Sequence, residues 1–220
     1  LQQQDMRGEN SIWQQSLQTC FCYMPGNRYI EVFTHSPVTK LPKARGLENP
    51  KVILPDVSGK GYGYFALREA DKQFLTRQLY TIKKDLLRAV AWVTLYEDML
   101  RQNFAPGKFA QLALEAISKE QNEMLLRQVL DYLETVYWQF LPHDRRKAFF
   151  QELEPRLWQR ILNEENPSQQ ANLTKKYISF ASNSQASKKL IKLYQDTYDF
   201  YAAGKSEKTD ILLQLMLLNA

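Results

Sequence analysis

Histidine and cysteine are the scarcest chemistry-bearing residues in this chain: His35 and His143 are the only imidazoles, and Cys20 and Cys22 the only thiols. A helical zinc site needs His-Glu-x-x-His, so that both imidazoles lie on one face. His35 is followed by Ser-Pro-Val-Thr and His143 by Asp-Arg-Arg-Lys, so neither is half of such a motif. No Gly-x-Ser-x-Gly elbow occurs. The expectation is therefore no catalytic, cofactor-binding or metal-ligating residue in this chain, and no enzyme in the chain alone. Long apolar runs are missing too. The longest, Leu86 to Leu100, is interrupted by Arg88, Glu97 and Asp98, whereas a membrane span needs about 20 predominantly apolar residues. No membrane span is expected. The stretch Leu1 to Asn10 has neither an initiator Met at position 1 nor the basic start and apolar run of a signal peptide. That start fits an excised fragment whose targeting information is absent or removed, and compartment stays open.

Cys20 and Cys22 are two apart, which in a strand sets both on one face. A disulfide across one intervening residue is strained, and a metal would need further ligands nearby, so free thiols are expected. The formal net charge of +5 is spread over the chain: 8 Lys/Arg against 5 Asp/Glu in residues 1–68, and 21 against 19 in residues 69–220. A nucleic-acid partner would call for cations gathered on one face, and none is expected.

Glycine and proline divide the sequence. Six of the eight Gly and five of the nine Pro fall in residues 1–68, which predicts a turn-rich β module there and a helical domain over 69–220. Trp13, Leu17, Phe21 and Tyr23 share one parity, Pro25-Gly26-Asn27 offers a turn, and Tyr29, Glu31 and Phe33 then alternate with Ile30 and Val32. This is a hairpin signal. Lys40–Pro50 reads as a loop, Lys51–Pro55 as a short strand and Gly61–Leu67 as another, together a small β-sandwich. Gly59, Gly61 and Gly63 precede a strand rather than a helix N-terminus, so they serve a turn and close packing instead of cradling phosphate.

From Glu69 the apolar period becomes helical. Helices are predicted at Ala70–Leu79, Lys83–Arg101, Gly107–Ile117, Ser118–Leu141, from Asp144 to before Asn166-Pro167, Ser168–Ala181, Gln185–Ala203 and Lys208–Leu218. Ser118 and Gln121 match a capping box, and Pro155 predicts a kink or break. Short connections between such helices favour antiparallel pairs, hence a mainly α chain with an irregular α-solenoid of armadillo or HEAT type. Core packing accounts for most helical aromatics, among them Trp92, Tyr137, Tyr194, Tyr198 and Tyr201. The acidic pairs Glu97-Asp98 and Glu164-Glu165 point about 100° apart in a helix and read as solvated faces or caps. Arg145-Arg146-Lys147 reads as an exposed patch. Arg88, amid apolar neighbours, is expected to be buried and paired with Asp85 or Glu97.

The run Pro50-Lys51-Val52-Ile53-Leu54-Pro55-Asp56-Val57-Ser58-Gly59-Lys60-Gly61-Tyr62-Gly63-Tyr64-Phe65-Ala66-Leu67 resembles a segment of the aminopeptidase N type gluzincins. Asp56 stands where that family usually has asparagine, and Gly63-Tyr64-Phe65 replaces its tyrosine-arginine-valine. Phe74–Leu79 and Asp85–Leu100 look like the opening of the family's C-terminal helical domain, and Ser11–Leu17 is similar to the strand that begins its small sandwich. The resemblance implies a bacterial zinc aminopeptidase as parent, in periplasm or cytoplasm, with zinc held only in the parent. Its implied partners are the catalytic domain missing from this chain and the peptide substrate, which the helical domain would gate and position. The alternative is an independent helical-repeat adaptor that binds a protein.

Overall fold

The computed structural model describes residues 1–5, 11–23, 26–181 and 184–192. Strand β1 (Gln15–Cys22) lies between β2 (Asn27–Thr34) and β3 (Val52–Leu54), and both pairings are antiparallel. Six helices follow: α1 (Glu69–Gln78), α2 (Asp85–Leu100), α3 (Pro106–Lys119), α4 (Glu123–Thr135), α5 (His143–Leu162) and α6 (Pro167–Phe180). Residues 184–192 are helical as well. The chain is thus mainly helical with one small antiparallel sheet, and it divides into two compact units, Leu1–Leu112 and a second that begins at Ala113.

In the first unit the strand period of two sorts the side chains. Leu17 and Phe21 of β1 join Ile30 and Val32 of β2 in a cluster, against which Leu41, Leu47, Ile53 and Phe65 pack. The opposite parity puts Cys20 and Cys22 beside Leu54 and Val52 by register, and all four are buried. The hairpin closes where Tyr23 N–H donates to Gly26 C=O at 2.9 Å. Gly26 has φ +92°, a conformation that suits glycine.

The residues expected to form a further strand, Gly61–Leu67, carry no ladder. Their first two N–H groups bond side chains instead. Asp56 gathers the turn: Oδ1 accepts from Ser58 N–H at 3.0 Å and Ser58 O–H at 2.6 Å, and Oδ2 accepts from Gly61 N–H at 2.9 Å. Tyr62 N–H donates to Gln15 Oε1 at 2.5 Å. A Cβ on Gly61 would lie 2.4 Å from Leu17 Cδ2 and 2.6 Å from Phe65 Cζ. Close packing is therefore the reason for glycine at this position.

Helix α2 buries Leu87, Ala91, Trp92, Leu95 and Met99 on one face, while Leu86 and Leu100 are exposed. Trp92 and Tyr96 meet Phe109 of α3 at ring-centroid distances of 5.6 and 5.7 Å. Arg88 is buried as expected. Its Nη2 lies 2.7 Å from Asp85 Oδ1, and its Nη1 donates to the carbonyls of Ile82 and Lys83 at 3.0 and 3.1 Å.

In the second unit, α4 starts at Glu123, and Asn122 caps it by accepting from Leu125 N–H at 3.0 Å. The Ser118–Gln121 capping box does not form, because Ser118 lies inside α3. Asn122 sits one turn before the first apolar pair of α4 and can reach its free N–H groups. A π-helical turn, Val136–Phe140, extends α4. Helix α5 runs through Pro155 without a break. A proline removes only one interior donor, and Leu153 and Leu157 on either side of it are fully buried, so packing offsets that loss. Asn166 caps α6. Of the remaining expected helices, Lys208–Leu218 and the part of Gln185–Ala203 beyond residue 192 lie outside the described residues, as do Tyr194, Tyr198 and Tyr201.

Gly61→Ala should cost about 1–3 kcal/mol, the usual penalty for overpacking, read as a lower denaturant midpoint. Asn122→Ala should cost about 0.5–2 kcal/mol through loss of the cap, read in the same titration.

Candidate functional site

Two groups of side chains stand apart from routine packing. The first, in the helical unit, is a cavity of about 230 Å³ between α4 and α6. Its apolar lining is Leu126, Leu130 and Leu173, which face inward because the helical period brings i and i+4 together. The charged lining comes from Glu123, Arg127, Asp131, Lys175 and Lys176. Lys176 Nζ lies 2.5 Å from both Asp131 Oδ1 and Glu134 Oε2. Burial alone would lower the Lys176 pKa, but the bonds to these carboxylates outweigh it and raise it. Glu123 accepts from Gln169. Arg127 and Lys175 also line the cavity, and neither forms an ion pair among the described residues.

Beside it, Glu154 of α5 accepts from Tyr177 O–H and from Lys189 Nζ, each at 2.6 Å. Burial and the neighbouring carboxylate push the Tyr177 phenol well above its ordinary range. Trp158 packs on Tyr177 at 5.1 Å, so this trio braces the two helices with an aromatic stack and a charged hydrogen bond.

The second group lies in the first unit. Asp98 is expected to be solvated, yet its exposure is 0%. The reason is its neighbour segment: Tyr64 lies over α2 and donates its hydroxyl to Asp98 Oδ1, while Asp98 Oδ2 is buried without a hydrogen-bond partner. Asn103 donates to the Tyr64 oxygen at 2.8 Å, and the Arg101 guanidinium sits 4.6 Å over the Tyr64 ring. Loss of solvent raises the Asp98 pKa against the opposing bond from Tyr64 and the charge of Lys72. Burial, and then Asp98 itself, pushes the Tyr64 phenol up to about 12. The sequence signal for this pair was the Gly-Tyr-Gly-Tyr run ahead of an acidic residue on an apolar helix, and it was not sufficient to find it.

The remaining sequence candidates are not brought together. His35 stacks on Phe33 at 5.8 Å, and His143 is exposed at the first residue of α5. Cys20 and Cys22 are free thiols with Sγ atoms 3.3 Å apart. Their mutual bond lowers the pKa of Cys20 and raises that of Cys22. Glu164 accepts from Asn166 N–H at 3.2 Å. Arg146 donates from Nε to Leu141 C=O at 2.9 Å and lies over Trp138 at 5.5 Å, so this member of the basic run is partly engaged. Among the described residues no three His, Cys, Asp or Glu side chains group as metal ligands, and no helix is long and apolar enough to cross a membrane. Neither protein-family models nor characterised proteins give a match to this chain.

The raised Asp98 pKa fixes a sign. A carboxyl that holds its proton more tightly in the folded state contributes most below its unfolded pKa of about 3.9, and that contribution is lost as pH rises through the folded value. The stability of Asp98→Asn relative to the parent chain should therefore rise between about pH 4 and pH 7. Paired thermal melts across that range would read it.

Proposed function

We propose that this chain is the non-catalytic C-terminal part of a zinc aminopeptidase, a β-sandwich region and an irregular α-solenoid that position and gate peptide for a catalytic domain elsewhere. The observation that carries the binding role is the cavity between α4 and α6, with its leucine floor and the cations Arg127 and Lys175 in its lining. Such a mixture of apolar floor and a few polar groups suits a short peptide segment. The aminopeptidase parent rests on the resemblance of Pro50–Leu67 and Asp85–Leu100. The two segments meet where Tyr64 docks on α2.

A second reading, an independent helical-repeat adaptor, draws on Met124. It adjoins Glu123 at the cavity edge and is 83% exposed, as befits a residue that packs adaptably against a protein partner.

Purified chain supplied with zinc should hydrolyse no aminoacyl reporter. It should bind a mixed library of short fluorescent peptides by anisotropy, and Arg127→Ala combined with Lys175→Ala should weaken that binding roughly tenfold, as expected for two charged contacts worth about 0.2–1 kcal/mol each at a solvated rim. Chelator-sensitive turnover by the chain alone would overturn the accessory role. Binding of a folded protein but of no short peptide would favour the adaptor.

A further inference from the structure

Strand β2 is an edge of its sheet: β1 covers one side, and β3 lies beyond β1. The hydrogen-bond phase of the hairpin determines which residues face outward. Tyr23 and Gly26 form a hydrogen-bonded pair at the turn, and in an antiparallel ladder bonded and non-bonded pairs alternate. With the register Cys22↔Asn27, Phe21↔Arg28 and Cys20↔Tyr29, the backbone groups of Arg28, Ile30 and Val32 turn toward β1. Those of Tyr29, Glu31 and Phe33 turn away from it. None of these outward groups has a backbone partner among the described residues.

The side chains of the same three residues are exposed, as are those of Asn27 and Arg28 at the start of the strand. Ile30 and Val32 are buried in the sheet core, whereas Tyr29 is 41% and Phe33 57% exposed, with Glu31 exposed between them. Lys84 Nζ lies 3.1 Å from Tyr29 O–H, and Gln18 Nε2 donates to Glu31 Oε1 at 2.6 Å. Edge strands are commonly blunted by proline, by bulges, by brevity or by charged side chains, and of these β2 carries only the charges of Arg28 and Glu31. Strand β2 contains no proline, spans eight residues and pairs with β1 without a bulge.

We propose that the outer edge of β2 is a strand-addition site for an extended polypeptide segment with a basic residue flanked, two positions away on each side, by apolar residues. The N–H and C=O groups of Tyr29, Glu31 and Phe33 supply the ladder, and alternate side chains supply the selection. The basic residue falls opposite the Glu31 carboxylate, and the apolar ones fall opposite Tyr29 and Phe33, since directly opposed residues share a face. The same carboxylate disfavours a second copy of the chain. Antiparallel pairing of two β2 strands centred on Glu31 would set carboxylate against carboxylate, and like charges directly opposite are destabilising. The site is independent of the α4–α6 cavity and holds under either functional reading.

The test uses the whole chain and a capped synthetic peptide, Thr-Val-Thr-Lys-Thr-Leu-Thr, followed by backbone amide NMR. Saturable shifts should centre on Tyr29, Glu31 and Phe33. A peptide with its Val, Lys and Leu nitrogens methylated should not bind, because those donors face the edge. Replacing the peptide Lys with Glu should weaken binding, and Glu31→Lys should invert that preference, a change of roughly fivefold to tenfold for an opposed charge pair. Equal binding of the methylated peptide, shifts centred elsewhere, or an unchanged charge preference in Glu31→Lys would each overturn the proposal. So would shifts of the same amides with protein concentration alone, which would make the occupant a second copy.

Discussion

The first unit depends on one carboxylate. Asp71, near the start of α1, is almost fully buried, and taking such a charge out of water costs several kcal/mol unless it is matched. It is matched twice. The Arg68 guanidinium approaches as a fork, with Nε 2.7 Å from Oδ2 and Nη2 2.7 Å from Oδ1. Ile53 N–H of β3 donates to Oδ1 at 2.9 Å. A planar guanidinium and an edge-strand amide thus meet on one group, which ties the sheet to the first helix. The pairing also disposes of an otherwise unpaired donor of β3, the short edge strand of the sheet.

From that joint, the turn around Asp56 and the Tyr64 contact with Asp98 carry the chain from sheet to helices without a further strand. Both use side-chain oxygens to satisfy backbone or phenolic donors where a ladder is missing. The contrast between the two aspartates is instructive. Asp56 accepts several short bonds that outweigh burial, so its pKa is lowered. Asp98 has one bonded oxygen and one unpartnered oxygen, so burial wins and its pKa is raised.

Much of the architecture was legible in the sequence because it rests on local periodicity. The parity of Leu17 and Phe21 gave the face of β1 that packs with Ile30 and Val32, and the i, i+3, i+4 series of Leu126, Val129 and Leu133 gave α4. Arg88 was readable as a buried, paired cation because an arginine among apolar residues has few other options. The misreadings all involve choices made by tertiary context. Ser118 and Asn122 are both competent caps, and only the length of α3 decides between them. Asp98 looks like any helical acid until Tyr64 covers it. Gly61–Leu67 alternates like a strand but finds no neighbour to pair with. The α4–α6 cavity was not legible, since it depends on which faces of two helices separated by α5 come together.

The buried thiols have a consequence for following the protein in solution. A thiol reagent can reach neither Cys20 nor Cys22 while β1 is held between its neighbours, because both side chains are at most 1% exposed. Their labelling must wait for the central strand to be uncovered, so its rate times the opening of the sheet itself. The helical unit contributes no cysteine to that signal, which makes the natural sequence a ready-made reporter for one of its two halves.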